Sequence, residues 1–224
     1  MYDTTTDPPG IVLILSYRTF SDEDYQERAG AECDVVNLVS VFEQMGYQTE
    51  VHHDLTWEET LWTVQEFSTS ERLRKVGCSI VVVSSHGGKE KSSFATSDGK
   101  DVSVRHIHES FIKEQRKEVK QMAKIFFFQF CRGDIFPMWD TDSANHPPEN
   151  TINFFSTSDG FVAYRDPMRG SIFLSVWCEV LAERAYRDNL DDLFRKVQQR
   201  YKRKVGTTPE KQDLGFMKKF YFNP

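Results

Sequence analysis

Ile125-Phe126-Phe127-Phe128 is an unbroken run of apolar, strand-forming residues that stops at Gln129 and gives way to Phe130-Cys131-Arg132-Gly133-Asp134. A second run, Ile80-Val81-Val82-Val83, ends in Ser84-Ser85-His86-Gly87-Gly88, and a third, Ile11-Val12-Leu13-Ile14-Leu15, follows the breaker Pro8-Pro9-Gly10. A strand that faces water on one side alternates apolar with polar residues. A strand that is apolar at every position is buried on both faces, as in a parallel sheet covered by helices. None of the runs approaches the roughly 20 residues of a membrane helix. Two such strands, side by side, would bring a thiol and an imidazole to one rim of a sheet.

The segments between the runs supply the helices. Val35, Leu38, Val39, Phe42 and Met45 recur at helical spacing, and Gly46 is a natural stop. Gln48 to Val51 reads as a short strand. Thr56-Trp57-Glu58-Glu59 has the spacing of a capping box and opens a helix to about Phe67. Asp98-Gly99 marks a turn, and Val104 to Phe111 reads as a helix. The alternation of strand and helix implies a mostly parallel sheet with helices on both faces, in which function gathers at the carboxyl ends of the strands. Residues 134–151, with Pro137, Pro147 and Pro148, lack a regular pattern over a length that is unusual inside a compact domain. Asn153 to Thr157 then resumes as a strand. Helices follow over Ser171 to about Ala185 and Leu190 to about Tyr201, and Leu214 to Pro224 reads as a last strand.

Composition narrows the class. A chain of 224 residues with 39% apolar residues and 18 phenylalanines can bury a substantial core. Its net charge of −6 argues against nucleic acid as a partner. The basic run Tyr201-Lys202-Arg203-Lys204 reads as a solvated helix end. The polar start, Met1 to Gly10, has no signal-peptide pattern, and four widely spaced cysteines form no C-x-x-C pair, so reduced thiols and a cytoplasmic location are expected. Cys33, Cys78 and Cys178 read as small hydrophobes in or beside periodic segments. His52, His53, His106 and His108 lack the company of a metal site and read as exposed. Arg105 and Arg169 read as solvated surface. No metal and no cofactor is called for, and no membrane association.

A cysteine fixed by a buried strand, with a histidine opposite, has the makings of a nucleophile and its base. The glycines after His86 permit tight backbone and an unobstructed N–H for an oxyanion. Gln129-Phe130-Cys131-Arg132-Gly133 fits the signature Q-A-C-[RQG]-G except at Phe130, and His86 lies 45 residues upstream where about 50 is usual. On these motifs the chain resembles the caspases, over nearly its whole length from Ile11. Ser85-His86-Gly87, Arg28-Ala29-Gly30-Ala31-Glu32, Ala163-Tyr164-Arg165 and Lys218-Lys219-Phe220-Tyr221-Phe222 resemble further family motifs in the family's order. Phe130 to Asp134, Cys178-Glu179-Val180, Asn189 to Asp192, Leu214-Gly215-Phe216 and the ending Tyr221 to Pro224 lean toward an insect initiator member.

The resemblance implies a single α/β domain around a mostly parallel six-stranded sheet. It implies hydrolysis after aspartate through a thioester, with Cys131 as nucleophile, His86 as acid and base, and the N–H groups of Gly87 and Cys131 as the oxyanion hole. Arg28, Gln129 and Arg165 would bind the substrate aspartate, since guanidiniums grip carboxylates bidentately. Tyr164 would wall the next substrate residue. Phe130 and Ala163 depart from the usual family residues. Phe130 is bulky enough to alter the packing under the thiol.

By the same resemblance, residues 1–134 form a large-subunit part, 135–150 a linker and 151–224 a small-subunit part. Asp142 is the preferred processing site, with Asp140 and Asp134 behind it. The expected partners are protein substrates, a second copy paired through the last strand at Phe220-Tyr221-Phe222, another caspase in a heterodimer, and inhibitor-of-apoptosis proteins. Only about ten residues precede the first strand, so no recruitment domain is expected in this chain. The rival readings are a catalytically weak homologue that regulates an active caspase, an unrelated α/β hydrolase, and a metacaspase-like relative, whose pocket needs acids where Arg28 and Arg165 stand. Arg132-Gly133-Asp134 spells an integrin-type tripeptide, here read as coincidence.

Overall fold

A computed structural model describes residues 1–90, 92–113, 116–132, 149–158 and 160–223. The three apolar runs form β1 (Gly10–Ser16), β3 (Cys78–Ser84) and β6 (Ala123–Gln129), each buried at every position. With β2 (Gln48–His53), β7 (Thr151–Phe155) and β10 (Glu210–Leu214) they make a six-stranded sheet in the order β10-β7-β6-β3-β1-β2. All pairings are parallel except that of β10 with β7.

The centres of β1, β3 and β6 are apolar because both faces are covered. Val12, Ile14, Ile80, Val82, Ile125 and Phe127 point into a core shared with α1 (Ala31–Gln44), α5 (Ile172–Arg184) and α6 (Leu190–Val205). Their neighbours Ile11, Leu13, Val81, Val83, Phe126 and Phe128 point into a second core under α2 (Trp57–Thr69), α3 (Val104–Lys113) and α4 (Lys117–Gln121). Each fully buried side chain of this size contributes roughly 1.5–3 kcal/mol. The capping box at Thr56 forms as expected, with Thr56 and Glu59 bonded reciprocally. The basic run at 202–204 lies exposed in the last turn of α6.

Several expectations are corrected. The last strand is Glu210–Leu214, not 214–224; Phe220 and Phe222 are 1% and 0% exposed and pack into the first core instead of forming an apolar edge. The free edges of the sheet are β10 and β2. Two small hairpins carried no run to announce them: β4 (Ser93–Ala95) with β5 (Asp101–Ser103), and β8 (Arg165–Asp166) with β9 (Gly170–Ser171). His108 is buried on α3 and bonded to Asn153 Oδ1 at 3.1 Å, and burial pushes its pKa down to about 4. Of the three cysteines read as buried, only Cys78 is fully so; Cys33 and Cys178 are half-buried. Asp134, Asp140 and Asp142 lie outside the described residues.

Candidate active site

Register brings the candidate pair together. β3 and β6 run parallel with Ser84 opposite Gln129, so His86 and Cys131 each stand two residues beyond matched partners. The Ser85 N–H continues the ladder to the Gln129 carbonyl at 3.0 Å. Gly87 lies so close to the Cys131 backbone that a Cβ would collide with the Cys131 carbonyl, which explains a glycine there. The half-buried Cys131 thiol accepts from the Ala163 N–H at 3.3 Å.

The His86 imidazole is held by a carbonyl. Nε2 lies 2.7 Å from the Gln26 oxygen; a carbonyl only accepts, so Nε2 carries the proton and Nδ1 is the basic nitrogen. Burial is the first cause that lowers the His86 pKa; the Gln26 carbonyl opposes it, and the charges of Arg28 and Arg165 add to it. A neutral imidazole with a fixed tautomer suits a base for a neighbouring thiol.

Around the thiol the polar residues converge. Arg28, 2% exposed, spans the ends of β1 and β3, donating to the Tyr17 carbonyl at 2.6 Å, the Ser84 carbonyl at 3.0 Å and Ser84 Oγ at 3.0 Å. Burial, and then the charge of Arg165, lower its pKa to about 10. Arg165, on β8, is also lowered, first by burial, with Asp34 and Cys131 opposing. Among the described residues, Arg165 Nη1, Gln129 Oε1 and Asp34 Oδ2 are buried here without a partner. Tyr164 is 42% exposed beside them. Phe130 turns away from the site into the second core, against Phe94, Phe128 and Phe155 at centroid distances of 5.8, 5.8 and 6.5 Å, so its bulk is absorbed in packing. Arg105 and Arg169 are exposed, as expected.

Sequence reasoning missed three participants. The Gln26 carbonyl has no signal, because any residue supplies one. Asp34, 1% exposed, accepts from the Ser171 N–H at 2.7 Å and ties α1 to β9; burial first raises its pKa, to about 6, with Ser171 and Arg28 opposing. Its position four residues before Leu38, on the buried stripe of α1, was a readable sign. Arg132 Nη1 reaches Glu210 Oε2 at 2.8 Å and its guanidinium covers the Phe155 ring at 4.1 Å, tying the residue after Cys131 to the edge strand β10. With that side chain 2% exposed, the integrin-type tripeptide has a buried arginine.

Comparison with known proteins identifies the domain and the fold. The caspase domain model matches residues 9–221. Among curated relatives, Caspase Dronc of Drosophila melanogaster is 24% identical over 96% of this chain and 56% of its own length, and Caspase-2 of Gallus gallus is 28% identical over 93% of this chain and 54% of its own length. The chain thus spans about half the length of these relatives. The crystal structure of Caspase-1 from Spodoptera frugiperda superposes with a TM-score of 0.86 at 20% identity, covering 99% of this chain and 92% of that one, which supports the fold. The six-stranded sheet, the matched domain and the motifs at its rim lead to one conclusion: the chain belongs to the caspase family.

Proposed function

We propose that this chain is a cysteine endopeptidase that cuts after aspartate, with Cys131 as nucleophile and His86 as acid and base. The observation that carries the reading is the pair of buried, unsatisfied atoms, Arg165 Nη1 and Gln129 Oε1, beside Arg28 and the thiol. A buried cationic N–H without an acceptor is costly, and a carboxylate entering beside Arg165 and Arg28 relieves that cost. Turning the Gln129 amide over presents Nε2 to the same carboxylate. A neutral side chain leaves Arg165 Nη1 without an acceptor, so aspartate is preferred.

In this reading His86 Nδ1 takes the thiol proton and the sulfur attacks the carbonyl carbon. The N–H groups of Gly87 and Cys131 receive the oxyanion. The C–N bond breaks as the imidazolium protonates the leaving amine, and a thioester remains. Water, giving a proton to His86, then attacks the acyl carbon; the carboxylic product leaves and the thiol is restored. Tyr164 walls the next substrate residue. The Ala163 N–H on the sulfur means that the substrate-binding segment lies across the thiol. We infer from this a resting form that opens on dimerisation through β10 or on cleavage of linker 135–150, preferably at Asp142 and secondarily at Asp140.

The motifs flanking the site support an initiator-like role in programmed cell death, in the cytoplasm, with inhibitor-of-apoptosis proteins as candidate partners. Among the described residues no helix is long and apolar enough to cross a membrane, and no group of three or more His, Cys, Asp and Glu residues could hold a metal ion. The engaged thiol also favours a second reading, a weak homologue that regulates an active caspase by pairing with it. A fluorogenic tetrapeptide ending in aspartate separates the two. Turnover that Cys131→Ala abolishes, with a break after Asp142 in the mass spectrum of the parent alone, is expected. No turnover, even under conditions that force dimerisation, overturns the protease reading.

A further inference from the structure

Residues 18–28 close on themselves. The Arg28 N–H bonds the Arg18 carbonyl at 2.9 Å, making a neck, and the Ser21 N–H docks the loop on the Ser97 carbonyl at 2.7 Å. Compact loops with joined ends and packed interiors are frequently functional. The interior of this one holds rings against His86. Phe20 lies 5.2 Å from the imidazole centroid and Tyr25 5.7 Å from it, nearly parallel at 28°, while the two rings are 5.4 Å from each other. The same loop supplies the Gln26 carbonyl that receives Nε2. A latch reaches it from the segment after the histidine: Lys89 Nζ lies 3.2 Å from Asp22 Oδ2, 3.0 Å from Asp24 Oδ2 and 5.8 Å from the Tyr25 ring centroid. Gly99, at φ +74°, lets Asp22 pack where a side chain would collide.

We propose that Phe20 and Tyr25 are positioning residues: their rings pack together against one flank of the His86 imidazole, a one-sided clamp that keeps Nε2 on the Gln26 carbonyl and Nδ1 facing the reacting thiol, with Lys89 latching the loop shut. The role rests on the protease reading for its purpose, though not for its geometry. One hydrogen bond fixes a point on the imidazole; two aromatic rings fix its plane. Without them the ring turns over about its Cβ–Cγ bond and exchanges its nitrogens, and water reaches it. The charges facing His86 are Arg28 from the loop neck and Arg165 from β8, both cationic. Those facing Tyr25 are Lys89, Asp22, Asp24 and Asp101, and its buried hydroxyl has no partner among the described residues. The phenol therefore acts through its ring face, and Tyr25→Phe should preserve the clamp where Tyr25→Ala destroys it.

The test is nitrogen NMR of histidine-labelled protein, in the Cys131→Ala form so that self-cleavage does not blur the spectra, paired with kinetics of the Cys131 form. In the parent and in Tyr25→Phe, His86 is expected as a single Nε2–H tautomer that titrates below the ordinary histidine range. In Tyr25→Ala both tautomers appear and the midpoint rises. The acid limb of kcat/KM moves up with it, and kcat falls roughly tenfold while KM stays within about twofold. Lys89→Ala, an exposed change that keeps the core, shifts His86 in the same direction by less and speeds amide exchange over 20–26. If His86 in Tyr25→Ala superimposes on the parent, or, should that variant not fold, if Lys89→Ala changes neither exchange nor His86, the clamp is overturned. A parent that cleaves no aspartyl peptide while its His86 responds to Tyr25→Ala sinks the protease reading and leaves the clamp. A parent that cleaves while His86 is indifferent does the reverse.

Discussion

At the carboxyl rim of the sheet Arg165 Nη1 is buried with no partner among the described residues, as are Gln129 Oε1 at the end of β6 and Asp34 Oδ2 on α1. At the amino end of the same strand β6, Lys124 is 1% exposed, and its ammonium donates to the carbonyls of Lys120, Met122 and Glu149 at 3.1, 3.2 and 2.9 Å. Three donors meet three acceptors, which is all an ammonium offers. Both ends hold cations: Lys124 at the base and Arg28 at the rim are each buried and satisfied by oxygens, while at the rim Arg165 also keeps one buried N–H without a partner among the described residues. A satisfied buried charge holds structure, here the return of the chain at Glu149. An unsatisfied one is tolerated where a ligand completes it, so the rim reads as a receptor and the base as a joint. Among the described residues other buried atoms also lack a partner, Trp177 Nε1 and the carboxylate oxygens Asp101 Oδ1 and Asp188 Oδ2 among them; what sets the rim apart is a cationic donor among them beside a thiol.

Replacing the unsatisfied cation should damage function and spare the fold. For Arg165→Met, kcat/KM toward an aspartyl peptide is expected to fall by about 10³-fold or more, while the unfolding free energy moves by no more than about 1 kcal/mol, since removing an unpaired charge relieves desolvation. Peptide kinetics with a urea titration check both halves. A variant that unfolds readily would make Arg165 a structural cation like Lys124 and break the contrast.

The two ends should also part in their response to pH. Burial raises Asp34 from 3.8 to about 6, so the folded chain holds a proton that the unfolded chain has released, and stability falls as pH rises from about 4 to 6. Burial lowers Lys124 from 10.5 to about 8, so the unfolded chain holds the extra proton and this group's contribution to stability rises from about pH 8 to 10.5; Cys78 and Cys178, raised by burial to about 12, slope the other way above pH 9, so the comparison is parent against Lys124→Met. Each slope integrates to about 3 kcal/mol. Urea unfolding across both windows should lose the acid slope in Asp34→Asn and the alkaline slope in Lys124→Met, each variant leaving the other slope alone. His108, lowered to about 4, slopes upward across the acid window, so the comparison is parent against Asp34→Asn. An unchanged acid slope in that variant would mean that Asp34 is not desolvated as described.

Lys124→Met tests the joint directly. The methionine fills much of the volume but leaves three carbonyls with one donor fewer, so a loss of about 2 kcal/mol at neutral pH is expected. The kcat/KM of the folded fraction should not change, because the ammonium lies at the far end of β6 from Cys131. Loss of turnover at full stability would show that the base end feeds the rim.

The contrast between the ends is only half legible in the sequence. β1, β3 and β6 announce themselves because burial on both faces leaves an unbroken apolar run at the centre of each, and the residues that follow, His86 and Cys131, stand out by their position. Arg28 and Arg165 stood out through motif likeness alone. Lys124 gave no sign: a lysine at the start of an apolar run reads as the water-facing end of a strand, and its partners are carbonyls. The same blindness hid Gln26. The β4–β5 hairpin escaped because three-residue strands carry no period. The tail from Gly215 onward was misread because its aromatics, Phe216, Phe220 and Phe222, imitate a strand while serving as core plugs.

The smallest expected effect probes how the joint is sealed. Tyr2, 3% exposed, packs at a tilt against Phe216 at 4.6 Å and Phe220 at 6.5 Å between ring centroids; its N–H bonds the Lys219 carbonyl at 2.9 Å and its hydroxyl donates to Asn150 Oδ1 at 2.9 Å. Asn150 in turn donates from Nδ2 to the Lys120 carbonyl, one of the acceptors of Lys124. The segment that precedes β1, the tail and the exit of the linker therefore share one polar chain that ends on the buried ammonium. Tyr2→Phe keeps the ring and removes only the hydroxyl, and is expected to cost about 1 kcal/mol. Tyr2→Ala removes the ring packing as well and should cost about 3 kcal/mol. If the chain of bonds acts as a unit, the cost of Tyr2→Phe shrinks in the Lys124→Met background, and a double-mutant cycle reads the difference. Strict additivity would make Tyr2 a plug that happens to neighbour the joint, and would confine the satisfied end of the comparison to Lys124 and its three carbonyls.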